Sequence, residues 1–109
     1  MKKAKIKIEI NDYTINQEGI IDKEVLKVKD NEDVISFDIK NLILTKENKE
    51  INIIMNFNNK TIEYELVPEK RKFTNNFEVN RLTNHDNQYI INYRIEDSNF
   101  LLKINYETI

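Results

Sequence analysis

From about Ile51 onward, apolar and polar residues alternate along the chain, as in Phe100, Leu102, Ile104 and Tyr106 set against Leu101, Lys103, Asn105 and Glu107. A period of two is that of a β-strand with one buried face. The same parity runs through Ile51, Ile53, Met55 and Phe57, through Ile62, Tyr64 and Leu66, and through Tyr89, Ile91, Tyr93 and Ile95. A helical bundle would need residues three and four apart to share a face, and in these segments such spacings mix the two faces.

The N-terminal half follows the same rule less evenly. Lys3 to Ile10 reads as a strand with Ala4, Ile6, Ile8 and Ile10 inward. Asn11 to Gly19 reads as a loop holding at most a short strand near Tyr13 to Ile15, because it is polar and ends in the only glycine. A second strand is predicted over Ile20 to Lys29, with a bend or bulge at the adjacent apolar pair Val25 and Leu26. Asp30 to Asp33 is a turn, Val34 to Lys40 a third strand, and Leu42 to Thr45 a short strand after a break at Asn41. Lys46 to Lys49 reads as a polar hairpin loop, and Asn58-Asn59-Lys60 as a tight turn, since Asn tolerates positive φ. Pro68 cannot donate to a ladder, so Val67 to Lys70 is a connection. Phe73, Asn75, Phe77 and Val79 then share one parity, with turns at Asn84 to Asn87 and Glu96 to Asn99. The prediction is an all-β fold: a single domain over residues 1–109, built as an antiparallel up-and-down β-barrel of about eight strands that closes to hide its edges.

Composition narrows the function classes. With 17 basic and 19 acidic residues interleaved, there is no field of one sign to draw nucleic acid or an acidic membrane. Single-strand binding also needs exposed aromatics, and here the aromatics lie on the buried parity. One glycine cannot make a phosphate-cradling loop. The absence of cysteine removes disulfides and thiolate chemistry. Met1 to Ile10 lacks the continuous apolar stretch of a signal peptide, and no segment approaches the roughly 20 apolar residues of a membrane span, so a cytoplasmic protein without membrane contact is expected.

Catalytic and metal chemistry find little to stand on. His85, the only histidine, would have to serve Ser36 or Ser98, which lie beside turns or on an outward parity. With Asp86 it would make a poor metal site, because transition-metal sites draw on several His or Cys ligands. Asp30, Glu32 and Asp33 lack the glycine and terminal glutamate of a calcium loop. The chain is therefore read as a non-enzyme that uses no cofactor and no metal.

Two sets of residues are left to carry function. Tyr64, Tyr89, Tyr93 and Tyr106 fall on the inward parity, and Arg81 joins them if the alternation from Phe73 through Val79 runs one step further. An inward Arg among tyrosines suits a small hydrophobic or carboxylate ligand in the barrel interior, because a buried charge needs a partner. Ile43, Ile54, Ile90 and Leu101 are outward and apolar, and if clustered they form a face for a protein partner or a second copy of the chain.

Met55-Asn56-Phe57, Tyr64-Glu65-Leu66-Val67-Pro68, Ile91-Asn92-Tyr93-Arg94-Ile95 and Leu102-Lys103-Ile104-Asn105-Tyr106 follow one another over Ile51 to Glu107. Their order resembles an uncharacterised calycin-like β-barrel family of small bacterial proteins, a domain of unknown function. That resemblance implies an eight-stranded closed barrel similar in architecture to lipocalins, and it supplies no catalytic residue.

Overall fold

A computed structural model describes residues Met1–Ile109. It contains eleven antiparallel strands and no helix: β1 (Lys2–Ile10), β2 (Tyr13–Asp22), β3 (Val25–Asp30), β4 (Asp33–Asp38), β5 (Ile43–Glu47), β6 (Ile51–Asn56), β7 (Thr61–Leu66), β8 (Arg71–Asn76), β9 (Glu78–His85), β10 (Gln88–Ile95) and β11 (Ser98–Thr108). They form one sheet in the order β8-β7-β6-β5-β4-β3-β2-β1-β11-β10-β9. The sheet coils into a nearly closed barrel. Its two end strands, β8 and β9, are successive halves of one extended stretch joined at Phe77, where the chain makes no turn. The first half pairs with β7 and the second with β10, so a single stretch of chain bridges the sheet's two ends.

The strand count exceeds the expected eight for local reasons. The bend expected at Val25 and Leu26 is a full reversal two residues earlier: Asp22 pairs with Val25 around Lys23, which adopts a φ of 58°. Asn11 to Gly19 is not a loop, because β2 pairs with β1 along its length, from Tyr13 opposite Ile10 to Ile21 opposite Lys2. Five hairpins close with two-residue loops, and every positive-φ residue in the chain is non-glycine: Asn11, Lys23, Asn31, Leu42, Lys60, Lys70, Asp86 and Glu96. The single glycine is spent elsewhere. Gly19 lies inside β2 opposite Ala4, and a Cβ there would sit 2.4 Å from the Lys27 carbonyl oxygen. Its missing side chain lets β2 and β3 cross closely where the sheet curls.

That crossing is brief. β2 pairs with β3 only over Ile20–Asp22 and Val25–Lys27, so Tyr13 to Gly19 has no ladder partner on its β3 side. Side chains span the resulting seam instead: the Tyr13 hydroxyl donates to one Asp30 carboxylate oxygen, and Gln17 Nε2 donates to the other at 3.2 Å.

Inward residues from all sides form one core of 18 buried side chains, none of them charged. Phe37 of β4 meets Tyr89 of β10 edge-on at 5.3 Å between ring centroids, although five steps of the sheet separate the two strands. Phe57, Phe77 and Tyr93 make a second cluster of edge-to-face rings, with Phe100 stacked on Tyr93 at 5.1 Å. Such rings are large and contact one another in favourable geometries, so they fill the interior where they meet.

Candidate functional site

The aromatic clusters leave one mouth of the barrel unfilled. There, Ile8 and Ile10 of β1, Ile15 of β2, Ile35 of β4, Leu44 of β5, and Ile53 and Met55 of β6 line a half-open pocket of about 220 Å³. The eighth lining residue is Lys46. Because β5 continues to Glu47, Lys46 keeps the inward parity of Leu44 and sits between Ile35 and Ile53 on the neighbouring strands. A smaller hollow of about 70 Å³ shares Ile8, Ile10, Ile15, Ile35 and Lys46 and adds Tyr13 and Asp33. The pocket therefore has walls on both sides of the β2/β3 seam.

Polar groups gather only at the rim. Lys46 Nζ stands 3.5 Å from Asp33 Oδ2, and Asn48 Nδ2 donates to Asp33 Oδ1 at 2.8 Å. Asp30 is held across the seam by Tyr13 and Gln17. The hydrogen bond to the Asp30 carboxylate, followed by desolvation, raises the Tyr13 hydroxyl above its ordinary pKa.

The residues singled out from the sequence lie elsewhere. Arg81 does not point inward: a bulge at Asn80 shifts the β9–β10 register, so Val79 faces Tyr93 but Arg81 faces the outward Asn92, exposed to water. Tyr89 and Tyr93 are inward as expected, but both are buried in the packed aromatic clusters, at 4 % and 3 % exposure. Tyr64 and Tyr106 are half-buried and pack against the core. None of the five lines the apolar pocket. A cation on the inward parity does line the pocket, but it is Lys46, half exposed at the rim. Extending the Ile43 to Leu44 alternation through the supposed hairpin loop would have found it.

The outward apolar residues do not form one face. Ile43 and Ile54 are diagonal neighbours on β5 and β6, and Ile90 and Leu101 on β10 and β11, with other strands between the two pairs either way round. A broader depression of about 450 Å³ on the outer wall is lined by Lys5, Lys7, Asn16, Asn105, Tyr106 and Glu107. It is open and polar, and its charges alternate, with Lys5 facing both Glu18 and Glu107. His85 stands at the end of β9, its ring 3.4 Å from the Asp86 carboxylate and almost fully in water.

Fold and site together define a small antiparallel barrel-like sheet, packed at its centre and hollow at one mouth. No protein family, no curated protein and no solved structure matches this chain.

The buried tyrosines give the barrel an alkaline limit. Burial, with a smaller contribution from Tyr64, pushes the Tyr93 hydroxyl up to about 12. Burial likewise raises Tyr89, with Tyr106 and Glu24 adding to it and a hydrogen bond from Asn84 opposing it. A pKa raised on folding gives stability that is complete below the unfolded-state value near 10 and is lost as pH climbs through the folded one. Denaturation curves should therefore be flat to about pH 9.5 and lose about 2 kcal/mol by pH 12 through Tyr93 alone. Tyr93→Phe should flatten the upper part of that decline, and an unchanged slope in this variant would remove Tyr93 as its cause.

Proposed function

We propose that the chain is a non-enzymatic binding protein that takes a small, mainly apolar molecule into the pocket at the Ile8–Ile15–Ile35–Leu44–Met55 mouth. One observation carries this reading: ring-to-ring packing fills the interior where Phe37 meets Tyr89 and Phe57 meets Tyr93, while seven apolar side chains surround a half-open space that none of them fills. Concave apolar surface with few polar groups is the usual form of a small-molecule site. The volume of about 220 Å³ lies below the roughly 300–1,000 Å³ of pockets for drug-sized ligands, so the guest is short. At about 30 Å³ per liquid water, the space equals roughly seven waters, close to the bulk of a short alkyl chain. The mouths of β-barrels are common places for small-molecule sites, which fits the same reading.

The test is a titration of methyl-labelled protein with 1-hexanol. Methyl signals of Ile8, Ile15, Ile35, Leu44 and Met55 should move together and saturate. Ile53→Phe, which pushes a ring into the space from its rim, should abolish the shifts while leaving the thermal melt intact. Shifts spread over the outer wall, or none at millimolar hexanol, would end the proposal.

A further inference from the structure

We infer that the ligand of this pocket is a short-chain carboxylate, its tail among the isoleucines and its head on Lys46. This rests on the pocket reading above and adds the chemistry of the head group. Lys46 is the only polar residue among the eight that line the larger hollow, and strand pairing sets it there with Ile35 and Ile53 on either side. Its side chain is 47 % exposed, so the stem follows the apolar wall while the ammonium stands in water at the rim, free to meet a head group there.

Asp33 is only a loose partner. The 3.5 Å separation is well beyond the roughly 2.7–2.9 Å of a good charge-assisted hydrogen bond. An ammonium has three donors, and Asp33 engages one of them at most. Lys46 can therefore accept a second carboxylate without leaving Asp33. If it does swing fully to a ligand, Asp33 keeps its hydrogen bond from Asn48. The other carboxylate at the rim, Asp30, is already taken up by Tyr13 and Gln17. Of the charged groups around the mouth, the ammonium is the one that lines the larger hollow, and it stands where a chain leaving the apolar pocket would end.

The experiment compares hexanoate, 1-hexanol and hexylammonium on the intact chain at neutral pH and low salt, by calorimetry and the same methyl signals. Hexanoate should bind a few-fold more tightly than hexanol, as expected for an ion contact at a rim half open to water, and the advantage should shrink with added salt. Lys46→Met should erase the advantage while leaving hexanol binding in place, and Asp33→Asn, which removes the competing carboxylate, should strengthen hexanoate several-fold. Equal binding of hexanoate and hexanol, or a preference for hexylammonium, overturns the carboxylate assignment but leaves the pocket standing. Failure of all three compounds to move the pocket methyls overturns the pocket reading itself. Thermal melts of both variants separate a lost contact from a lost fold.

Discussion

Gly19→Ala is expected to destabilise the protein by about 3 kcal/mol or more, at the upper end of the cost of overfilling a packed site. The added Cβ would lie 2.4 Å from the Lys27 carbonyl oxygen and 2.8 Å from Ile6 Cδ1. The isoleucine can rotate, but the carbonyl belongs to the backbone of β3. Relief requires β3 to move away from β2, and the two strands are joined by only three residue pairs, Ile20–Lys27, Ile21–Leu26 and Asp22–Val25. The φ at Gly19 is not positive, so the cost comes from crowding alone. Urea unfolding reads the loss, and amide exchange places it: Ile20 to Lys27 should lose protection before β10 and β11 do. Gly19→Ala with wild-type stability would show that the two strands do not need this close approach.

Phe37→Ala should cost about 3–5 kcal/mol, the usual range for deleting a buried phenylalanine side chain. Phe37 is 1 % exposed and touches Tyr89 across the barrel, so its removal leaves a cavity bounded by two walls that cannot both collapse. Against a typical total of about 5–15 kcal/mol, that is a large share of the stability. Phe73→Ala is the control. Phe73 has the same inward parity but is 43 % exposed beneath the Arg71 guanidinium, so its deletion should cost less than about 1 kcal/mol. If Phe37→Ala were equally mild, the far half of the barrel would be loosely filled, and the space for a ligand would extend beyond the mouth.

The Arg81 and Lys46 pair shows how one rule gave both an error and its correction. The rule is that an inward charge signals a site. Parity counted through Val79 puts Arg81 inward, but a bulge at Asn80 adds a residue and reverses the parity beyond it. Bulges depend on how the partner strand lies, and here the partner is β10, so no reading of β9 alone could locate it. Lys46 is hidden for the opposite reason: the run Lys46 to Lys49 is polar and reads as a loop, although Leu44 to Lys46 continues the alternation without interruption.

The chain's own pattern was enough to determine an all-β antiparallel domain, most of its strands and turns, and which aromatics face inward, because period-two burial is a local property of each strand. Inward tyrosines were legible for that reason, but whether they pack or bind was not. Phe37 finds Tyr89, and Phe57 finds Tyr93, only when the sheet curls and brings distant strands face to face. The same curl decides the number of strands around the barrel, the seam beside Gly19, and the unfilled mouth where Lys46 meets Asp33. Alternation decides which side of a strand is apolar; the sheet's curvature decides what that side touches, and so where it touches nothing.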